Sequence, residues 1–269
     1  MYYRDTIVAG RTIIRSLRAS ARIKSAEQKR KAKGNPTSEA VKKINLKNAV
    51  RILTAKLNHN FGKGDYHIVL TYKELVTVSD AKKNLDNFLR NLRGYCKKKD
   101  IEFKWVAVTE YKHKRVHHHL VVKGPSIEVI DKFWKHGYEY PVMLDETGNY
   151  YKLAEYLLKE TERTFREEGS PQKKRYSTSR NVVMPDVKRE KVSGREATKE
   201  LKALKGYSID QDTVKRYEHA ILEVDCVEYI MVSLDDEPRI KRWPKGRSVK
   251  LREPYKDYER QMTFEDLYV

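Results

Sequence analysis

The chain has 269 residues, with 57 Lys plus Arg against 38 Asp plus Glu, a formal net charge of +19 and a pI near 9.6. Such a charge favours a polyanionic partner, and nucleic acid is the first candidate. The sequence shows neither an apolar stretch of the roughly 18 residues that a spanning helix needs nor a signal peptide, and its two cysteines form no Cys-x-x-Cys pair. We therefore expect a cytoplasmic protein with reduced thiols and no membrane partner.

Residues 1–60 are expected to form a basic N-terminal arm followed by a helix. From Arg11 to Lys33, basic residues alternate with Ser and Ala without a clear apolar stripe. This pattern predicts either a mobile arm or a helix that DNA orders, and a solvated charged helix is an equal alternative. Apolar residues recur at near-helical spacing from Ser38 to Asn58, which predicts a helix packed on the domain that follows.

Residues 61–190 are expected to form the central domain, in which the pattern predicts the order β-α-β-β-α-β and then one more helix. This order is typical of the split βαβ, or ferredoxin-like, antiparallel sheet with helices on one face, so the expected fold class is α+β. The expected elements are a strand at 66–71, a helix at 80–98 with Ser79 as N-cap, strands at 103–110 and 117–122, a helix at 126–136, a strand at 138–144 and a helix from about residue 150.

A run of three histidines opens the third strand of this domain. Alternate side chains of a strand share a face, so His117 and His119 are expected to lie side by side. The preceding strand ends in Glu110, and a short basic connection through Lys112 and Lys114 predicts a hairpin that brings the carboxylate to both imidazoles. Two imidazoles and one carboxylate with open positions suit a divalent Lewis acid. An ordinary histidine run is the alternative.

The helix after residue 150 offers a nucleophile. Tyr156 lies on or beside its buried stripe, and Lys159 follows about one turn later, so a phenolic oxygen and an ammonium can address one phosphate. A core tyrosine with a lysine reaching to solvent is the alternative for an isolated pair. Tyr150 and Tyr151 point away from the Tyr156 face and are expected to cap or pack, with Tyr151 as a weaker alternative nucleophile.

In this order, the segments resemble the HUH endonucleases, the single-strand nicking enzymes of rolling-circle replication initiators, relaxases and single-tyrosine transposases. The likeness is greatest to replication-associated proteins of small phages, plasmids and integrated elements, and it covers about Phe61 to Pro185. Three segments carry it: the strand at 66–72, His117-His118-His119 and Tyr156-Leu157-Leu158-Lys159. The middle residue of the histidine run departs from the usual hydrophobic one, which leaves open which two histidines bind metal. Further matches are Thr109-Glu110-Tyr111, Trp134 with Gly137, and Ser177-Thr178-Ser179-Arg180.

The resemblance implies a function. Mn²⁺ or Mg²⁺ held by His117, His119 and Glu110 would polarise a phosphodiester of single-stranded origin DNA, and Tyr156 would attack it to leave a 5′-phosphotyrosine and a free 3′-OH, with Lys159 orienting the phosphate. Host helicase and polymerase are the implied protein partners. The residues expected to contact DNA are Arg115, Lys112, Lys114 and Arg180.

Three other functions are compatible with parts of the sequence. A relaxase or a single-tyrosine transposase would use the same chemistry for mobilisation. A non-catalytic basic module would bind DNA or RNA on the open sheet, with incidental histidines. A structural zinc-binding protein is disfavoured, because two His and one Glu leave the metal shell open.

The remaining sequence carries no recognisable chemistry. Arg163 to Lys191 is expected to be mainly loop. The C-terminal region, residues 191–269, is expected to contain helices at Gly194–Lys205 and Ile209–Leu222 and a strand at Cys226–Leu234, with an unknown role. No complete phosphate-binding Gly-x-x-x-x-Gly-Lys-Ser/Thr loop occurs, so any unwinding is expected to come from a host enzyme.

Overall fold

The computed structural model describes residues 2–19, 39–111, 115–161, 174–219 and 222–235. The chain forms two compact units. The central unit comprises residues 60–183, and the peripheral unit combines the described residues of 1–59 and of 184–269. The peripheral unit therefore joins two stretches that we expected to form separate regions.

The described residues form an α+β fold with two antiparallel sheets, as expected. The helices are α1 (Glu39–Asn60), α2 (Val78–Lys98), α3 (Ile127–Phe133) and α4 (Tyr151–Thr161). The strands are β1 (Tyr2–Ala9), β2 (Thr12–Ala19), β3 (Tyr66–Leu70), β4 (Lys104–Glu110), β5 (His117–Lys123), β6 (Glu139–Met143), β7 (Ser177–Thr178), β8 (Val187–Val192), β9 (Tyr207–Glu218) and β10 (Asp225–Ser233).

The central unit has the expected ferredoxin-like arrangement. Its sheet has the strand order β6-β3-β5-β4-β7, and its chain order from β3 to β6 is β-α-β-β-α-β. All neighbouring strands pair antiparallel. The predicted strands and helices of this unit are confirmed, with ends that differ by at most about three residues.

Helices α2 and α3 cover one face of this sheet. The buried side of α2 carries Leu85, Phe88 and Leu92, which pack with Leu120 and Trp134 in one apolar core. The helix begins at Val78 rather than at residue 80, because the Thr77 side chain accepts a hydrogen bond from the Asp80 amide. The expected Ser79 cap is therefore wrong.

The strands of this sheet alternate between the two faces. In β5, Leu120 and Val122 belong to the core under α2 and α3, so His117 and His119 point to the opposite face. Helix α4 meets that opposite face, where the Tyr156 ring contacts the His119 ring. The two helices of the β-α-β-β-α-β unit therefore share one face, as expected, and helix α4 lies on the face that carries His119.

The peripheral unit differs most from the sequence-based expectation. Its sheet has the order β8-β1-β2-β10-β9, so residues 2–19 form two paired strands instead of an arm or a helix. Residues 20–38, which include the rest of the predicted arm, lie outside the described residues. The strand β10 confirms the prediction at 226–234, whereas residues 209–218 form the strand β9 and not a helix. Residues 194–197 form one short 3-10 turn, and residues 187–192 form a strand within the predicted loop.

Charge compensation lets the basic segment join a sheet. Asp5 is 2% exposed and accepts hydrogen bonds from Arg18 and from Arg189, the latter through two contacts of 2.6 and 2.8 Å. Burial alone would raise the pKa of Asp5, but the two guanidinium groups outweigh it and hold that pKa well below its ordinary value. Arg18, which belongs to the predicted basic arm, is therefore a partner of a buried carboxylate.

Helix α1 packs on the peripheral sheet, and its expected packing on the domain that follows stays a prediction. Asn58 donates to Thr12 of β2 at 2.8 Å, and Arg51 donates to Ser16 of the same strand at 3.1 Å. Residues 50–58 of this helix are all buried, so its polar side chains as well as its apolar ones lie inside the protein.

Both cysteines, Cys96 and Cys226, are buried free thiols. Among the described residues, none of the helices has the length and apolar character needed to cross a membrane.

Candidate metal centre and tyrosine site

The β4–β5 hairpin brings the predicted metal ligands together. Its register places Glu110 directly opposite His117 and Val108 opposite His119. Directly opposed residues point to the same face, so the carboxylate and the two imidazoles converge at one end of the hairpin. Lys112 and Lys114, which were expected to contact DNA from the connection, lie outside the described residues.

The three side chains form a compact and mostly buried group. The Nε2 atom of His117 lies 2.9 Å from Glu110 Oε2, and the Nε2 atom of His119 lies 3.4 Å from the same oxygen. One ligand atom from each residue lies within 4.8 Å of the others. Glu110 and His119 are buried and His117 is half-buried. This group could hold a divalent metal ion.

Hydrogen bonds on the outer side of each imidazole fit this role. The Nδ1 atom of His117 lies 2.9 Å from the Arg115 carbonyl, and because a carbonyl only accepts, Nδ1 carries the proton. The Nδ1 atom of His119 lies 3.3 Å from His67 Nε2. With its proton on Nδ1, His119 donates to His67, and both ligand imidazoles then direct Nε2 lone pairs towards the Glu110 carboxylate. Three electron-pair donors that converge in this way suit a cation between them.

His67 was missed as a site residue by the sequence analysis. It lies on β3, its ring stacks on that of His119 with centroids 5.4 Å apart, and burial together with His119 lowers its pKa to about 4. Its position in the first-motif strand was visible in the sequence, but the register that sets it beside His119 was not. The alternation that sends Ile68 and Leu70 into the core was the available signal, since it places His67 on the opposite face.

His118 is a core residue and does not belong to the Glu/His/His group that could hold a metal ion. Its Nε2 atom lies 2.9 Å from the Tyr72 hydroxyl and its Nδ1 atom 2.9 Å from the Thr109 hydroxyl. Because the Tyr72 hydroxyl donates to the Ala81 carbonyl, it accepts from Nε2–H, and Nδ1 accepts from Thr109. Burial lowers the pKa of His118 to about 3. The side chain is neutral, satisfied and on the face opposite to the candidate metal group.

The tryptophan and glycine after the histidines hold the end of the first-motif strand. The Trp134 indole donates to the Thr71 carbonyl at 3.1 Å, and Trp134 is also the residue that follows the end of α3. A Cβ atom at Gly137 would overlap the same carbonyl oxygen, so only glycine permits this approach. The Ser-Arg run has a similar role at the other edge, where Ser179 exchanges hydrogen bonds with the backbone of Trp105.

Helix α4 carries Tyr156 to the candidate metal group. The ring centroids of Tyr156 and His119 are 5.3 Å apart with the planes nearly perpendicular, and Tyr156 is 48% exposed. Ala154, Leu157 and Leu158 are buried and anchor the helix. The phenol therefore stands beside the buried stripe, next to the imidazoles and accessible to a substrate.

The competing tyrosines make other contacts. The Tyr150 side chain is buried and its hydroxyl donates to the Asp145 carbonyl at 3.0 Å, while the Tyr151 hydroxyl donates to Glu155 at 3.1 Å. Both arrangements agree with the expected capping and packing roles. Lys159 is exposed in the last turn of α4, one turn beyond Tyr156.

Two of the four residues expected to contact DNA are described, and both are exposed. Arg115 donates to the Lys73 carbonyl at 2.8 Å, and Arg180 follows Ser179 in a turn at the sheet edge. Their contact with DNA stays a prediction.

Comparison with known proteins finds a similarity to one protein family over part of the chain. No curated protein and no solved structure matches the chain. Residues 65–191, just under half of the chain, match a family model for replication-associated proteins of the ORF2 type. The matched segment contains the first-motif strand, the His/Glu group and helix α4. Over this segment, the chain is similar to the replication-associated proteins that the model describes.

Proposed function

We propose that this protein initiates rolling-circle replication by nicking and rejoining single-stranded DNA at an origin through a 5′-phosphotyrosine. The observation that carries the proposal is the contact between the Tyr156 ring and His119, a member of the Glu/His/His group. A nucleophile next to a site for a divalent ion is the arrangement that phosphoryl transfer to tyrosine needs.

Glu110, His117 and His119 would hold the ion, for which we propose Mn²⁺ or Mg²⁺. When bound, it supplies Lewis-acid stabilisation of the negative charge that develops on the phosphodiester. The donations from His117 to the Arg115 carbonyl and from His119 to His67 keep the two rings in the orientation and tautomer that a ligand requires.

Tyr156 would carry out the transfer. Its phenolic oxygen loses its proton and forms a bond to phosphorus, the bond from phosphorus to the 3′ oxygen breaks, and that oxygen takes up a proton to become a free 3′-OH. The 5′ phosphate stays on the tyrosine. Lys159, one turn further along the helix, would offset charge on the phosphate. Later attack on the phosphotyrosine by another 3′-OH releases the enzyme and joins the strand.

The remaining parts of the proposal follow from this chemistry. The free 3′-OH is a primer for a host polymerase, and a host helicase would separate the strands. Both enzymes act on DNA in the cytoplasm of a bacterial host, where we place the protein. Arg115, Arg180, Lys112 and Lys114 would supply phosphate contacts that give affinity without sequence preference.

A covalent-adduct assay tests the proposal. The full chain is incubated with labelled single-stranded oligonucleotides of varied sequence and Mn²⁺, and a denaturing gel separates protein-linked DNA. We expect an adduct with the wild type and with Tyr151→Phe, the matched control on the same helix, and none with Tyr156→Phe or in EDTA. Native-gel binding should persist in EDTA, because lysine and arginine contacts do not need the metal.

Two results would count against the proposal. An adduct that persists in Tyr156→Phe would exclude Tyr156 as the nucleophile. Normal DNA binding without any adduct from the wild type would favour the non-catalytic binding module instead.

A further inference from the structure

The edge strand of the central sheet exposes a row of large side chains. Tyr138, Tyr140 and Val142 are 56%, 57% and 61% exposed. They occur at every second position along β6 and the residue before it, so they share one face of the sheet. We call these three residues the tyrosine strip. Contiguous exposed apolar patches that polar residues border mark interaction sites on soluble proteins, whereas single exposed apolar residues are common.

The tyrosine strip lies on the face that carries the candidate metal group. Tyr140 is paired with Val69 on β3, and Val69 is paired with His119 on β5. Val142 is likewise paired with His67. Side chains of directly opposed residues share a face, so a continuous path runs across the sheet from the strip to the imidazoles. The intervening side chains, His67, Val69 and Thr71, are half-buried, which leaves this path accessible.

Basic groups adjoin the strip. The Lys73 ammonium lies 5.3 Å from the centroid of the Tyr138 ring, and Arg115 donates to the Lys73 carbonyl at 2.8 Å. Both side chains are exposed. An aromatic row bordered by cations has the composition of a single-strand binding surface, in which rings stack with bases and cations follow the phosphates.

We propose that the tyrosine strip is a stacking platform for unpaired bases of the single strand whose phosphodiester meets Tyr156. Alternate residues of a strand are about 6.8 Å apart, which is twice the rise of about 3.4 Å between stacked bases. The spacing of Tyr138 and Tyr140 along the strand therefore suits two successive bases that have moved apart and no longer stack on each other. The identity of the strand rests on the proposed nicking function, whereas the stacking itself does not need catalysis.

A second copy of the chain is a poorer occupant. An edge strand recruits another chain through its free amide and carbonyl groups, and Pro141 removes one amide from the middle of β6. The formal net charge of +19 also opposes self-association and favours a polyanion. Both observations favour DNA over a second protein copy.

The experiment measures binding in EDTA, so that no cleavage occurs. A fluorescein-labelled oligothymidine of about twenty nucleotides is titrated with the full chain, and anisotropy gives the dissociation constant. We expect Tyr138→Ala and Tyr140→Ala each to weaken binding about tenfold, because base stacking on one aromatic ring is worth roughly that factor. The Phe variants should bind as the wild type does. Abasic sites in the oligonucleotide should reduce the effect of the Ala variants.

Met143→Ala is the matched control. Met143 lies on the same strand with similar exposure, at 55%, but it is paired with Tyr66, which packs against the core face. We expect it to bind the oligonucleotide as the wild type does. Circular dichroism and thermal melting of each variant establish that its fold is intact.

The possible outcomes separate this inference from the proposed function. Wild-type affinity in the Tyr138→Ala/Tyr140→Ala double variant overturns the inference even if Tyr156 forms an adduct. A loss in Met143→Ala as large as in the Tyr variants also overturns it, and so does a change of oligomeric state in sedimentation that accounts for the loss. Selective loss in the Ala variants supports stacking even if the wild type forms no adduct, in which case only the nicking function fails.

Discussion

We expect His118 to make the stability of the central unit depend on pH. Its two neighbours in the chain, His117 and His119, are candidate metal ligands, but His118 itself is a core residue. In an unfolded chain, a histidine has a pKa near 6.5. Burial in the folded protein lowers the pKa of His118 to about 3. Between these two pH values the unfolded state binds more protons, so the free energy of unfolding falls as the pH falls below about 6.5. From pH 7 to pH 5 the loss is about 2 kcal/mol, because each pH unit well below 6.5 costs about 1.36 kcal/mol.

The perturbation is His118→Leu in metal-free protein with EDTA. At pH 7 the variant should be less stable than the wild type by about 1–3 kcal/mol, because Thr109 and Tyr72 lose a buried hydrogen-bond partner. At pH 5 the variant lacks the protonation cost of His118, while all other histidines affect both proteins alike. The stability difference between the two proteins should therefore shrink by about 2 kcal/mol.

Urea unfolding followed by tryptophan fluorescence measures this difference, because Trp105 and Trp134 lie in the core of the central unit. Curves for both proteins at pH 7 and pH 5 give four free energies of unfolding. An equal difference at the two pH values would refute the assignment of His118 as a neutral core residue. It would reopen the question of which histidines of the run face the metal.

Three further perturbations test other parts of the site. His67→Leu removes the hydrogen-bond acceptor of His119 and should weaken Mn²⁺ binding in calorimetry by roughly 10- to 100-fold. His67→Gln keeps an acceptor for His119 and should retain most of the affinity. Equal affinity of the Leu variant and the wild type would contradict the role of His67 in orienting His119. Gly137→Ala should lower the free energy of unfolding by about 1–3 kcal/mol, since its Cβ would meet the Thr71 carbonyl, and an unchanged urea midpoint would contradict this close approach. Arg180→Ala should weaken oligonucleotide binding similarly for all sequences and reduce the salt slope by about one, whereas an unchanged slope would exclude a phosphate contact.

The strands and helices of the central unit could be predicted from the sequence because the patterns that indicate them lie within each segment. The apolar stripe of α2 and the alternation in β3, β4 and β5 follow from periodicities of about 3.6 and 2. The convergence of Glu110 with His117 and His119 needed one more assumption, a short hairpin, and the register confirms it. The roles of these three residues as ligands stay a prediction.

The peripheral sheet was not readable because its strands depend on partners far away in the chain. Asp5 is neutralised by Arg189, which is 184 positions further on, and β2 lies between β1 and β10. The sequence shows only the arginines, so a basic strand resembles an arm. The strand β9 resembles a helix in the sequence for a related reason: its exposed polar residues leave few apolar positions to reveal a period of two.

His67 and the tyrosine strip fall between these cases. Both lie on strands that were predicted, and the alternation was sufficient to assign each to a face. Their relation to His119 depends on the strand order β6-β3-β5, which pairs residues about fifty or more positions apart. The sequence therefore indicated the candidate ligands, which lie close together along the chain. The supporting residues, which come from other strands, could be recognised only from the structure.

The most direct test of the proposed mechanism is to locate the covalent bond. The adduct formed by the full chain, single-stranded DNA and Mn²⁺ is digested with protease and nuclease, and tandem mass spectrometry identifies the residue that carries the 5′-phosphonucleotide. We expect a single modified residue, Tyr156. Modification of Tyr151 or of any other residue, or an adduct with a 3′ phosphate, would contradict the mechanism.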